Sequence, residues 1–241
     1  MLKRNGKKRM VSVLLVLAMV FACASSALAA GADAVQAAAM EARYNALPDD
    51  AIVCYLFGEP VYKYEVDENR IIHKDFSGQT PQTYASGSIE TGSIAGTVHA
   101  NEVIYAGLQQ LFVGYSESSS LMYLHADQAA IVADGVREQA EAEDLIAEII
   151  GSVSGLPAFL VPVQALIQWT LKLGADARNE IADLLEEQGD ARFTQTNSQY
   201  GSFYSVMEWD GRTVYKPCEY TTSTGTIRVL SVYCPSHSSV W

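Results

Sequence analysis

Four cysteines and four histidines are the side chains of this 241-residue chain with the widest chemical repertoire. A cysteine nucleophile needs a thiolate that is lowered in pKa, reachable and close to a base. Cys54 stands in Ala51-Ile52-Val53-Cys54-Tyr55-Leu56-Phe57, apolar on both faces, which predicts a buried strand and an inert thiol. The histidines that could activate it, His73, His99 and His125, carry no recognisable flanking signature. His73 with Asp75, and His125 with Asp127, could contribute metal ligands, but neither pair has zinc-site spacing. G-x-S-x-G, H-E-x-x-H, P-loop and dinucleotide motifs are absent, as is a D-x-D-x-D calcium loop. No catalytic residue, metal or cofactor is therefore assigned, and a non-enzymatic role is the reading preferred.

Cys218 and Cys234 lie 16 residues apart around a turn-like Thr221-Thr222-Ser223-Thr224-Gly225-Thr226. Two antiparallel strands with that spacing could set them side by side, so a disulfide between them is expected. Closing such a loop contributes about 3 kcal/mol in the chain-entropy picture. Cys54 is then left over.

The elements that must position these residues follow a leader. Lys3, Arg4, Lys7, Lys8 and Arg9 precede Met10 to Ala24, apolar but for Ser12, which matches the charged and hydrophobic regions of a secretory signal. The run is about 15 residues, short of the roughly 20 a spanning helix needs. Ala27-Leu28-Ala29 supplies the small residues signal peptidase requires, so residues 1–29 are read as a removable signal peptide and 30–241 as a single mature domain. Val20-Phe21-Ala22-Cys23 resembles a lipoprotein box, with Cys23 as the lipidated alternative, although Phe21 fits that pattern poorly. The expected location is outside the cytoplasm, secreted or associated with the cell envelope.

Removing the leader discards five of the 16 basic residues and none of the 28 acidic ones, which leaves a net charge of about −17. Such a balance repels phosphate backbones and anionic lipids, so nucleic acid is excluded as a partner and membrane contact is disfavoured.

Within the mature chain, Asp33 to Leu47 has alanine-rich helical composition. Ala51 to Phe57, Val61 to Val66 and Arg70 to Phe76 read as a three-stranded meander over 51–76. Helical periodicity is read from Val103, Ile104, Leu108, Leu111 and Phe112 onward, giving a helical part over 100–188 that ends at Gly189. Ser202 to Trp209, Thr213 to Tyr220 and Thr226 to Tyr233 read as a second meander over 200–234, turned at Asp210-Gly211. The fold expected is α+β, with a core of about four helices packed against two small antiparallel meanders, the C-terminal one clipped by the disulfide.

Two segments then bear on function. The aromatic end offers Tyr204, Trp209, Tyr215, Tyr220 and Trp241 as a platform for a protein or a cell-wall polymer. Leu156 to Leu173 is the most apolar stretch, broken by a thin polar stripe of Gln164, Gln168 and Lys172. It fits the centre of a core, or alternatively a membrane-active, bacteriocin-like or pore-forming role. A non-catalytic interaction protein at or beyond the cell surface is the reading preferred; a thiol hydrolase using Cys54 is the second alternative.

Overall fold

The computed structural model describes residues 35–56, 58–74, 91–93, 104–112, 115–150, 161–215, 218–221 and 225–233. Residues 1–29, expected to be a signal peptide, and Asp75, His99, Cys234 and Trp241 lie outside them. The chain divides into two units, Met1–Ala46 and Leu47–Trp241. In the first, residues 35–45 are helical (α1), as the alanine-rich composition predicts, and Asn45 Nδ2 donates to Glu41 Oε1 one turn back.

The second unit opens with a hairpin, β1 (Ile52–Leu56) and β2 (Glu59–Tyr62). The expected second strand over 61–66 ends at Tyr62 in a 3-10 turn, Lys63–Glu65; of the expected third, the described residues 70–74 follow a tight reversal in which Val66 bridges Ile72 and Ile71 bridges Tyr204 in parallel. Asp67 drives the reversal: its Oδ1 accepts the Ile71 N–H at 2.8 Å while Arg70 takes a left-handed φ of 66°.

After β3 (Thr91–Ser93), residues expected to be helical form the centre of a sheet. β4 (Ile104–Phe112) and β5 (Tyr115–Leu124) pair antiparallel from Ile104↔Tyr123 to Phe112↔Tyr115. Leu108, Leu111 and Phe112 match the i, i+3, i+4 spacing by coincidence. On β5 the alternation is masked, because Leu121 to Leu124 are buried on both faces while the buried positions Glu117 and Ser119 are polar.

The helices that pack on the sheet follow His125: α2 (Ala126–Glu138), α3 (Ala142–Ile150), α4 (Val161–Leu171) and α5 (Ala175–Gln188). The Gln128 side chain accepts the His125 N–H at 3.0 Å and closes the start of α2. Gly135 allows α3 close to α2, since a methyl there would stand 1.9 Å from Leu145 Cδ2. Pro162 occupies the first turn of α4, where no N–H is missed. Gly189, at φ 69°, ends α5 as its position predicts.

The chain then returns to strands: β6 (Ala191–Ser198), β7 (Gly201–Glu208), β8 (Thr213–Tyr215), β9 (Cys218–Thr221) and β10 (Thr226–Tyr233). The six-stranded antiparallel sheet has the order β7-β6-β5-β4-β10-β9, and β1-β2 and β3-β8 are separate ribbons. The expected meander over 200–234 is therefore dispersed. Asp210-Gly211 does not join β7 to β8 as a hairpin, because Asp210 Oδ1 accepts from both the Arg212 and Thr213 N–H groups and turns the chain out of the sheet. β8 pairs instead with β3.

Cys218 stands opposite Val229 on β10, and Cys234 lies outside the described residues. No disulfide is found among the described residues, so the expected clip is not shown.

The sheet is covered on both faces. On one, Met122, Leu124, Phe193 and Val206 pack with Val132, Ile146, Val163, Leu166, Ile181 and Leu185 of the four helices in a single aliphatic-aromatic core. On the other, Leu121, Tyr123 and Phe203 are covered by the ribbons. Ser198 Oγ donates to Val53 O at 2.8 Å, and the Tyr215 N–H donates to the Tyr123 hydroxyl at 3.0 Å.

Candidate functional site

Cys54 is fully buried, and burial together with the nearby Glu117 carboxylate pushes its thiol well above the ordinary range. A thiolate is thus disfavoured, the opposite of what nucleophilic attack requires. Tyr204, Trp209 and Tyr215 are 3%, 4% and 8% exposed, so these three rings do not form an outer platform. Trp209 packs 5.2 Å from Tyr123 and 4.9 Å from His125, and its Nε1 donates to Thr213 O at 2.8 Å. Burial raises the Tyr204 and Tyr215 hydroxyls to about 12. The side chain of Tyr220 lies outside the described residues, as does Trp241. Tyr204, Trp209 and Tyr215 were placed by strand preference and a two-sided core, not by exposure.

The apolar helix also points inward. Val163, Leu166 and Ile167 of α4 belong to the helix-side core, while Gln168 and Lys172 face solvent along the predicted stripe. Among the described residues no helix is long and apolar enough to cross a membrane.

Three features remain with chemical potential. The first is Glu117, 3% exposed on the ribbon side of β5. Its Oε2 accepts the Tyr55 N–H from β1 at 2.8 Å, and desolvation raises its carboxyl to about 7 despite that bond. With Ser198 on β6 it ties β1 to the sheet through side chains. Tyr55, Phe112 and Tyr115 stack beside it with centroids 4.7 Å apart, and burial followed by the Glu117 carboxylate raises the Tyr115 hydroxyl to about 12.

The second is a polar row across the helix-side face, beyond the reach of the core. Register aligns Ser202, Asn197, Ser118, Gln109, Arg228 and Glu219 on β7, β6, β5, β4, β10 and β9. Ser118 and Glu219 are exposed and the other four half-exposed. Ser202 Oγ donates to Asn197 Oδ1 at 2.6 Å, and Arg228 pairs with Glu219. Six strands at about 4.8 Å spacing make the row roughly 24 Å long.

The third joins residues that no local spacing could connect. Asp75 lies outside the described residues, and the Nε2 of His73 lies 3.1 Å from Asp67 Oδ2 and 3.3 Å from Glu180 Oε1 on α5. The second oxygen of each carboxylate is already engaged, Asp67 Oδ1 by the Ile71 N–H and Glu180 Oε2 by Asn69 Nδ2 at 2.9 Å. Burial raises the Glu180 carboxyl, the Asn69 amide opposes this, and the facing Asp67 carboxyl adds to it. His125, by contrast, has Nδ1 3.6 Å from Asp190 Oδ1. Asp67 and Glu180 were missed because they belong to a loop and a helix far apart in the chain.

A six-stranded antiparallel sheet with helices on one face and two ribbons on the other makes this a mixed helix-and-sheet protein of the α+β kind. Comparison with family models, curated proteins and solved structures yields no match.

Proposed function

We propose that this is an exported, non-catalytic binding protein that holds a hydroxyl-rich polymer of the cell envelope against the open half of its central sheet. The row Ser202-Asn197-Ser118-Gln109-Arg228-Glu219 carries the reading. Hydroxyl and amide groups repeated across strands offer donors and acceptors to an extended chain of sugar hydroxyls, with only the one ion pair at the end. The leader at residues 1–29 supports delivery to that location, and a formal charge of −12 before cleavage disfavours nucleic acid or anionic lipid in the same place. A membrane-active role would require α4 to leave the core in which Val163, Leu166 and Ile167 are buried.

The test is co-sedimentation of the mature chain with insoluble wall polymer, wild type against Ser118→Glu/Gln109→Glu. Loss of two or more hydrogen bonds at about 1 kcal/mol each lowers retention roughly tenfold or more. Wild-type protein that stays in the supernatant, or a double variant that sediments equally, overturns the reading.

A further inference from the structure

We propose that Asp67, His73 and Glu180 form a binding site for one divalent transition-metal ion of the zinc class, a site separate from the polymer-binding row. One ligand atom from each residue lies within 4.8 Å of the other two. Two donors bound at about 2.1 Å to a common ion are separated by about 3.0 Å at a right angle and about 3.4 Å at the tetrahedral angle. The His73–Asp67 and His73–Glu180 separations, 3.1 and 3.3 Å, fall inside that interval before any ion is considered.

The donor set selects the metal. One imidazole nitrogen with two carboxylate oxygens suits zinc and its neighbours, whereas calcium and magnesium take oxygen alone. Three protein ligands leave a position for water, and His73 is 46% exposed, so the ion has a path in.

The outer hydrogen bonds aim the ligands. Asn69 and the Ile71 N–H each hold one carboxylate oxygen and so turn the other toward the imidazole. The His73 N–H donates to Glu65 O at 2.8 Å, which fixes the backbone that carries the ring. Bound metal would cross-link the reversal after β2 to α5 and raise the melting temperature by mass action. An imidazolium ion-paired with the same two carboxylates would use the same geometry without metal, and the experiment must separate these.

The mature chain, stripped with chelator, is titrated with zinc chloride by calorimetry and with cobalt chloride by visible absorption, and melted with and without zinc. The result expected is one saturable equivalent, a cobalt d–d band and a higher melting temperature. Glu180→Gln and His73→Ala each weaken binding at least about tenfold, and Glu187→Gln, exposed on the same helix, leaves it unchanged. No saturable binding, or binding that survives Glu180→Gln, overturns the proposal. Should His73→Ala fail to fold, the cobalt spectrum of wild type against Glu180→Gln decides.

Discussion

The two faces of the central sheet are held by different physics. The helix-side core is mainly aliphatic and aromatic, with Met122, Leu124, Phe193 and Val206 meeting the buried stripes of four helices and few buried polar groups, such as Gln195 and Gln128, beside them. The ribbon-side layer buries Glu117, Ser119, Thr194, Thr196 and Ser205 among Val53, Leu56 and Phe203. One side is fastened chiefly by non-directional burial, while the other adds individual hydrogen bonds between buried side chains, such as Ser119 Oγ to Thr196 Oγ1 at 2.9 Å. Burial tolerates rearrangement but is costly to remove, whereas buried polar groups depend on partners and on protonation.

The comparison is broken most severely from the helix side. Phe193→Ala removes a fully buried ring and is expected to cost about 3–5 kcal/mol, read from chemical denaturation. On the ribbon side the decisive residue is Glu117, whose carboxyl titrates near 7 in the fold against an ordinary 4.5. The native state therefore binds the extra proton. Its contribution is complete below about pH 4.5 and is lost as pH rises through about 7, a change of about 3 kcal/mol. Glu117→Gln keeps an oxygen for the Tyr55 N–H and does not ionise. The variant is expected to match wild type near pH 4.5 and exceed its stability by up to about 3 kcal/mol at pH 8; parallel stability profiles would remove Glu117 from this role. The smallest effect belongs to Thr194, whose buried Oγ1 has no hydrogen-bond partner among the described residues. Thr194→Val retains the shape and loses only that hydroxyl, so thermal melts should show it neutral or slightly more stable, by less than about 1 kcal/mol.

The same contrast explains what could be read from the chain. α5 was legible because Ala177, Ile181 and Leu185 recur every four residues and Gly189 stops them. The β1-β2 hairpin was legible from its β-branched and aromatic runs around Gly58. β5 and β6 were not, because a strand whose buried positions are Glu117, Ser119, Thr194 and Thr196 inverts the pattern by which strands are recognised. Of the polar row, single serines and amides in the sequence gave no sign that six strands would align them. Asp67 and Glu180 were invisible for a related reason: only the fold brings a loop carboxylate to a helix carboxylate.

The reversal fixed by Asp67 also guards an edge. β7 is the outermost strand, yet its Tyr204 N–H donates to Arg70 O at 3.0 Å and its Tyr204 O accepts the Ile72 N–H at 2.8 Å. Those are the groups on which a second molecule would otherwise add a strand. At the far edge β9 is only four residues long. The central sheet is thus built to resist fibrous self-templating along its own edges.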